Sequence, residues 1–376
     1  MALYKSLVKK VPIPAEQKTK QKEYEEVGEL AIVDQGKKLI GGYTNNLDMQ
    51  LNCTLPVIVF GDHTCTVKYV DFPFGAGADG IKVLSPRDNV FPKYLFYGTQ
   101  YLTLRLPDKG YARHYQHIEK MDLRLPDFEE QLRIVTRIEE LFSKLDKSVE
   151  TLQIIKQQLI AYRQAVLKEA FDLNTPETIH IKDVCKDIKV GIVIKPTQYY
   201  VSENGIRAFR NANVRRGYID DSDWALISEE GHQLNSRSEV HINDVLISRS
   251  GANLGMAAVV SAKYDGYNAV DVVIAVPDTT KIIPEYLAQY TNSPMGRDIV
   301  KQNERGGAQG HLNVSAYAQL PICVPDIGKQ INIVKSLSKK LSLCDSIEQT
   351  VDTALSQAEA MRQSILKKAF EGGHSE

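Results

Sequence analysis

The pattern of apolar and polar positions is written twice along the chain, in two long stretches of helical periodicity. The first stretch opens at Leu125-Pro126-Asp127 and closes at Ala170-Phe171, and the second opens at Val324-Pro325-Asp326 and closes at Ala369-Phe370. Matched positions keep a single offset, because 325 − 126 and 370 − 171 both give 199. The chain therefore contains an internal repeat with no net insertion or loss between its copies.

Apolar residues in both copies recur at alternating spacings of three and four, which is the a/d pattern of a coiled coil. The first seam comprises Ile138, Leu141, Leu145, Ser148, Leu152, Ile155, Leu159, Tyr162 and Val166. The second comprises Leu337, Lys340, Cys344, Ile347, Val351, Ala354, Ala358, Met361 and Ile365. A helix over either copy is about 60 Å long. The pattern predicts two such helices packed antiparallel, and the alternative is two unrelated surface helices.

The regions outside the repeat have the composition of globular domains. Short β-type runs at 30–33, 55–60 and 65–70 in the first region, and at 243–251 and 272–276 in the second, predict strands. Phe91-Pro92-Lys93-Tyr94-Leu95 and Ile283-Pro284-Glu285-Tyr286-Leu287 each predict the start of a helix. Residues 1–26 are predicted to be a lysine-rich arm, and Gly75-Ala76-Gly77 a turn.

These elements predict an α+β fold in which two globular α/β domains are separated by an antiparallel coiled coil of two long helices. The predicted boundaries are 1–127 for the first domain, 128–172 for the central helix, 173–322 for the second domain and 323–376 for the distal helix. The ungapped repeat implies a pseudo-twofold relation between the halves, as in a homodimer.

Composition removes several classes of protein. The net charge of −1 carries no global signature of nucleic-acid binding, so such a function must rest on local clusters. The five cysteines lack a CxxC pair and indicate reduced cytoplasmic thiols rather than a disulfide framework or a zinc site. We find no apolar run of bilayer length, no Walker A loop, no HExxH, and no Asn/Asp-Pro-Pro-Tyr/Phe motif. No catalytic or metal-binding residue is predicted.

Basic and amide side chains cluster at four places that suit contact with DNA bases or phosphates. Each cluster also fits an ordinary solvated or packed surface, and the sequence leaves that alternative open. The candidate DNA-binding residues are Lys37, Lys38, Arg113, His114, Arg207, Arg210, Asn211, Asn213, Arg215, Arg249, Arg305, Gln309 and His311.

The repeated motifs resemble the specificity (S) subunits of type I restriction-modification systems. The resemblance rests on Leu125-Pro-x-x-Glu129-Glu130-Gln131-x-x-Ile134-Val135, on the end of the first repeat copy from Tyr162 to Phe171, and on the order domain, repeat, domain, repeat. The second copy departs from the pattern, with Gly328-Lys329 in place of Glu129-Glu130. That change puts one subunit contact in doubt and leaves the fold expectation intact.

The resemblance implies a non-catalytic DNA-binding chain. Each target recognition domain would read one half of a bipartite, asymmetric site in double-stranded DNA, and the helices would set the gap. Two methyltransferase (M) subunits holding S-adenosylmethionine, and restriction (R) subunits using ATP and Mg, would bind this chain, which itself needs no cofactor and meets no membrane. Two alternatives remain: a coiled-coil scaffold that binds only protein partners, and a self-contained DNA enzyme, for which a catalytic motif is missing.

Overall fold

The computed structural model describes residues 1–77, 80–107, 112–172, 178–302 and 311–372. The chain divides into two compact units: unit 1 is Met1–Gln153 with Asp352–Glu376, and unit 2 is Ile154–Val351. Each unit thus contains one globular region together with segments of both long helices. This division differs from the predicted boundaries, because the two ends of each helix pack into different hydrophobic cores.

The globular part of unit 1 is built on two sheets, with strand orders β2-β9-β6-β7 and β3-β8-β4-β5. Its strands are β1 (Ala2–Leu3), β2 (Val8–Val11), β3 (Lys18–Thr19), β4 (Leu30–Val33), β5 (Gly42–Thr44), β6 (Val57–Gly61), β7 (Val67–Val70), β8 (Phe74–Gly77), β9 (Ile81–Pro86) and β10 (Asp122–Leu123). Its helices are α1 (Tyr4–Leu7), α2 (Pro92–Thr103) and α3 (Tyr115–Ile118). The predicted strands at 30–33, 55–60 and 65–70 are confirmed as β4, β6 and β7.

Two predictions for this region are wrong. The first residues are no loose arm, since β2 pairs with β9 and the hydroxyl of the fully buried Tyr4 lies 2.7 Å from that of Thr99. Gly75 lies in β8 rather than in a turn. A Cβ at Gly75 would come 2.8 Å from Cδ1 of Ile32, whose side chain would have to shift to admit it.

Unit 2 has a corresponding sheet in the order β12-β18-β15-β16 and a smaller one in the order β14-β13-β17. Its strands are β11 (Ile179–His180), β12 (Cys185–Val190), β13 (Ile206–Phe209), β14 (Ala225–Ile227), β15 (Val245–Ser248), β16 (Ala257–Val259), β17 (Asn268–Ala269), β18 (Val272–Pro277) and β19 (Pro321–Ile322). Its short helices are α5 (Glu229–Leu234), α6 (Pro284–Asn292), α7 (Pro294–Gln302) and α8 (Val314–Ala318). The strand predicted within 243–251 is confirmed as β15, the strand predicted at 272–276 is confirmed as part of β18, and the helices beginning at Pro92 and Pro284 are confirmed.

Long helices α4 (Phe128–Phe171) and α9 (Ile327–Glu371) cover the two copies of the repeat. Each begins after an aspartate whose Oδ1 accepts a backbone N–H: Asp127 accepts from Glu130 at 2.8 Å, and Asp326 accepts from Lys329 at 2.9 Å. Such side-chain acceptors satisfy the free donors of a helix N-terminus, and their charge suits its dipole. The Pro-Asp start therefore has the helix-initiating role that the sequence predicts.

A buried glutamine ties the first turn of each long helix to its own domain. The side chain of Gln131 accepts from the backbone N–H of Phe91 at 2.8 Å and donates to the carbonyl oxygens of Asn89 and Pro126 at 3.1 and 3.0 Å. Its repeat equivalent Gln330 accepts from the N–H of Ile283 at 2.9 Å and donates to two carbonyl oxygens at 2.9 and 2.8 Å. The same hydrogen-bond set is therefore built twice.

The far ends of the long helices are anchored by aromatic packing. Phe370 of α9 lies 5.0 Å from the ring of Tyr94 in unit 1, and Phe171 of α4 lies 5.2 Å from the ring of Tyr286 in unit 2. Both tyrosines also donate their hydroxyl to a backbone carbonyl. Sequence-equivalent residues thus make equivalent contacts in the two units. Across the described ranges, no helix is long and apolar enough to span a membrane.

Candidate nucleic-acid interface

Arg249 lies directly after β15 and is held from two sides in unit 2. Its Nε donates to the carbonyl oxygen of Leu312 at 3.2 Å, and its Nη1 donates to Oδ1 of Asp271 at 3.0 Å. Its backbone N–H donates to Oδ1 of Asn211 at 2.8 Å, and its carbonyl accepts from the N–H of Leu312 at 2.8 Å. These bonds orient the guanidinium at the polar end of the sheet.

The amide of Asn211 connects this arginine to the following loop. Its Nδ2 donates to Oγ of Ser250 at 2.9 Å and to Oδ2 of Asp271 at 3.2 Å. The side chain of Asn253 donates to the backbone carbonyl of Asn211 at 3.0 Å. Asn211 therefore holds the Ser250–Asn253 turn and the Arg249–Asp271 pair in one hydrogen-bonded network.

Arg215 reaches the same network through Asn253, to whose Oδ1 its Nη1 donates at 2.9 Å. Its Nε and Nη2 both bind Oδ2 of Asp220, at 3.3 and 3.1 Å. Hydrogen bonds from Ser222 have the largest effect, and the bond from Arg215 adds to it, in holding the pKa of the Asp220 carboxyl below its ordinary value. Arg215 thus braces the loop through a carboxylate that stays charged.

The other candidates near the network have different surroundings. Nη2 of Arg210 is paired with Asp223, and Arg207 lies over the ring of Trp224 with its Cζ 5.9 Å from the ring centroid. Asn213 is buried and donates to the carbonyl oxygens of Asp220 and Asp223 at 2.9 and 2.7 Å. Asn213 therefore stabilises the turn and does not reach a ligand on the surface.

His311, the described end of the predicted cluster that also contains Arg305 and Gln309, lies beside this network. Leu312 both accepts a hydrogen bond from Arg249 and donates one to it. Its neighbour His311, which is exposed, therefore lies close to Arg249. Arg305 and Gln309 lie outside the described residues. Separate stretches of sequence, 211–215, 248–253, 271 and 311–312, thus meet at one end of the sheet.

Unit 1 has a polar loop at the equivalent place. Gly61 is the last residue of β6 and pairs with Ile81 of β9, just as Ser248 is the last residue of β15 and pairs with Val272 of β18. Each is the fourth paired residue of its strand. Asp62 therefore corresponds to Arg249. Its carbonyl accepts from the N–H of His114 at 2.9 Å, as that of Arg249 accepts from Leu312, and its Oδ1 accepts from the N–H of Tyr115 at 2.8 Å.

A cavity of about 340 Å³ lies at this loop of unit 1. Its charged lining comprises Asp62, Lys18, Lys82 and Arg113, with His63 beside them. Nζ of Lys82 lies 3.7 Å from Oδ2 of Asp62. Among the described lining residues the cations outnumber the carboxylate, so this lining is suited to a phosphate group.

The candidate DNA-binding residues of unit 1 lie in different surroundings. Arg113 lines the cavity, whereas the side chain of His114 is buried behind it and is not presented to a surface ligand. Lys37 and Lys38 are exposed between β4 and β5, and Lys38 lines a different cavity that also contains Glu25 and Glu26. Sequence reasoning missed Asp62 and Lys82, although the Gly-Asp pair after a strand was the available signal.

The long helices form the second functional feature. In unit 2, Arg163 of α4 binds Asp345 and Glu348 of α9 at 2.7 and 2.8 Å, and Glu169 lies 3.7 Å from Lys340. Residue numbers of the contacting side chains increase along α4 while those of their partners decrease along α9, so these segments are antiparallel. In unit 1, Arg362 of α9 binds Asp146 of α4.

Burial along the predicted seam is uneven. Fully buried members of the spacer set are Ile138, Leu159, Leu337 and Val351, and half-buried members are Leu141, Leu145, Leu152, Ile155 and Ile365. Ile347 and Met361 are exposed, at 37% and 56%, so their assignment to the buried seam is wrong. Two paired helices cover only a narrow strip, and a straight helix drifts by about 20° per heptad from a 3.5-residue repeat.

The five cysteines are free thiols. No group of three or more histidine, cysteine, aspartate or glutamate side chains suited to a metal ion occurs in the part of the chain that the structure describes. The candidate interface consists of polar loops and paired helices.

A repeated unit of domain and long helix, with equivalent polar loops in the two domains, defines an internally duplicated protein of two domains and two long helices. Comparison with known proteins gives this class a name. The chain is 27% identical over 274 residues to the EcoBI type I restriction enzyme specificity subunit of Escherichia coli, covering 66% of this chain and 58% of that protein. It is 25% identical over 361 residues to the EcoR124I/EcoR124II specificity subunit of Escherichia coli, covering 89% and 85%. No protein-family model matches the chain.

Solved structures agree at the level of the fold. A chain from a study of complex assembly and conformational transition of the type I R-M system superposes with a TM-score of 0.74 at 16% identity, over 99% of this chain and 97% of that one. The HsdS subunit from Thermoanaerobacter tengcongensis gives a TM-score of 0.52 at 15% identity, over 99% and 96%. The resemblance to type I restriction specificity subunits, and the fold it implies, are therefore confirmed.

Proposed function

We propose that this chain is the DNA-recognition subunit of a type I restriction-modification complex, and that each domain reads one half of a bipartite site. The observation that carries the proposal is the duplicated polar loop, Asp62 with its basic cavity in unit 1 and Arg249 with its network in unit 2. The loops occupy equivalent positions but differ in chemistry, as two readers of different sequences require. The similarity to specificity subunits supports the same role.

The partners follow from this role. Two M subunits bind the chain through its long helices and domains, hold S-adenosylmethionine and methylate an adenine that is flipped out of the duplex. R subunits, which use ATP and Mg, join that complex. The chain itself supplies recognition and spacing in the cytoplasm and performs no chemistry.

The first experiment maps methylated adenine across the genome of the host, with and without this gene. Loss of one split motif upon deletion supports the proposal and reveals both half-sites and their spacing. An unchanged map in a host whose M subunit is expressed and active contradicts it.

A scaffold that binds only proteins is tested separately. The M subunit is assayed for binding to a duplex containing the mapped site, alone and with this chain, over a range of salt concentrations. A salt-dependent shift that requires this chain supports DNA recognition. Copurification with M without any gain in DNA binding favours the scaffold, and methylation by the chain without M favours a self-contained enzyme.

A further inference from the structure

We propose that Arg249 reads the major-groove edge of a guanine in the half-site bound by unit 2, and that Asp271 and Asn211 position it. This inference rests on the proposed function and names the base that one domain recognises. It singles out one arginine among the several that the sequence clusters together.

The orientation of Arg249 is set before any ligand binds. Nε and Nη1 are each tied to an oxygen of the protein, while Nη2 makes no hydrogen bond within the described ranges. A guanidinium carries more N–H donors than these two bonds use. The side chain as a whole is 19% exposed. A fixed planar fork of this kind loses little conformational entropy when it binds.

The carboxylate of Asp271 decides between a base and a phosphate. A phosphate contact draws mainly on positive charge. Asp271, at 3.0 Å from Nη1, offsets that charge but leaves directional donors in place. Guanine presents O6 and N7 side by side as neutral acceptors, which an arginine fork fits bidentately. The pair therefore suits a guanine edge better than a phosphate.

Asp271 and Asn211 are built as positioning residues. Asp271 has a φ of +53°, an uncommon backbone conformation for a residue with a side chain, and its N–H donates to the carbonyl of Ile192 at 3.1 Å. Asn211 contacts the same carboxylate at 3.2 Å and the backbone N–H of Arg249 at 2.8 Å. Both residues thus act on the direction of the Arg249 fork.

The neighbouring arginines are less suited to this task. Nε, Nη1 and Nη2 of Arg215 are all engaged with Asp220 and Asn253. Arg210 is paired with the exposed Asp223, whose side chain is 80% accessible and imposes little order. Among these three arginines, Arg249 alone combines a fixed plane with a nitrogen that has no bond to the described protein.

The test uses the complex with M and duplexes carrying the mapped site. Each guanine of the second half-site is replaced in turn by 7-deazaguanine, which lacks the N7 acceptor. One replacement is expected to weaken binding by the unaltered complex about tenfold or more. R249K, which keeps the charge but removes the fork, is expected to show the same loss on the normal site and no further loss on that modified duplex. Recognition of the first half-site, checked by matching replacements there, stays intact and shows that the variant folds.

D271N tests positioning, because it removes the ionic anchor and retains a similar shape. We expect it to reduce discrimination at the same guanine while leaving the slope of log K against log salt unchanged. R237K, at an exposed arginine of unit 2, serves as the matched control. R249Q, which removes the charge, tests the alternative of a phosphate contact. The inference is overturned if R249Q weakens all duplexes equally and lowers the salt slope by about 1, as loss of a phosphate contact would, or if no guanine in the second half-site shows the coupling. If the unaltered complex does not distinguish its site from other DNA, the proposed function itself fails.

Discussion

Nη1 of Arg163 lies 2.7 Å from Oδ1 of Asp345, and an identical pair of residue types occurs at the repeat-equivalent positions. Subtracting 199 from 345 gives Asp146, and adding 199 to 163 gives Arg362, which bind each other in unit 1. Each copy of the repeat contributes the arginine to one pair and the aspartate to the other. The same pairing of α4 with α9 is therefore built once within each unit.

Reversing the charges of this pair tests its role in register. R163D places a carboxylate beside Asp345 and Glu348, and we expect it to lower the free energy of unfolding in urea by about 1 kcal/mol or more, because Arg163 is only 22% exposed. Adding D345R is expected to recover part of the loss. The R362D and D146R pair, which is more exposed, is expected to show smaller effects. Equal destabilisation by single and double variants would contradict a direct interaction.

Removing the Gln131 side chain should lower the free energy of unfolding because it leaves buried hydrogen-bonding groups unpaired. Q131A leaves the N–H of Phe91 and two carbonyl oxygens without their partner in a buried site, so we expect a loss of about 2 kcal/mol or more in the free energy of unfolding. Q330A should behave alike. Q164A, at an exposed glutamine of α4, is the control and should change the value by less than about 0.5 kcal/mol. Tolerance of Q131A comparable to the control would show that water replaces the side chain.

Asp244 makes stability depend on pH in the opposite sense to a salt-bridged carboxylate. Burial raises the pKa of this carboxyl above its ordinary value of 3.8. The folded chain therefore holds a proton that the unfolded chain has released, so stability falls as pH rises from 3.8 through the raised pKa. We expect D244N to be no less stable than the unaltered protein at pH 7 and to lose this relative advantage below pH 3.8. Its Oδ1 can still accept from the N–H of His241, as Asp244 does at 2.8 Å.

Urea unfolding at a series of pH values measures this difference. D187N, at an exposed aspartate on β12, controls for loss of a negative charge. A D244N protein whose relative stability increases on acidification would contradict the assigned direction of the pKa shift.

Cys185 should resist alkylation in the folded protein. Burial raises the pKa of its thiol to about 12, and the thiolate is the reactive species. We expect no modification of Cys185 by iodoacetamide at pH 8 under native conditions, and full modification in urea. Peptide mass mapping with C185S as the reference distinguishes the outcomes, and rapid native labelling would show that the sheet at β12 opens.

The basic cavity of unit 1 should contribute affinity for the first half-site. Removing Lys82 and Arg113 together is expected to weaken binding of the complex with M. Because each cation that neutralises a phosphate releases a counterion, the slope of log K against log salt should fall by about 1 for every phosphate left without its cation. K5A, at an exposed lysine of α1, is the control. An unchanged salt slope in the double variant would exclude these cations from the interface with DNA.

The local sequence pattern was sufficient for the repeat, for the helices beginning near Pro126 and Pro325, and for strands such as β4 and β15. Those features depend on periodicity and on helix-initiating residues, which neighbours along the chain determine. Residues 1–11 were misjudged because β2 acquires its order from β9, far away in the sequence. Gly75 was misjudged because β8 acquires its order by pairing with β4, which is distant in the sequence.

The candidate site shows the same division between sequence and structure. Residue type alone marked Arg249, Asn211 and Asn213 equally as polar groups able to contact DNA. Only the tertiary structure decided that Asn213 is buried in a turn while Arg249 is held at the surface by Asp271. Sequence determines which donors and acceptors a chain carries, whereas strand register and loop closure determine which of them are already satisfied. For this protein, the sequence was therefore sufficient to predict the repeat, but not to single out one arginine as the candidate for reading a base.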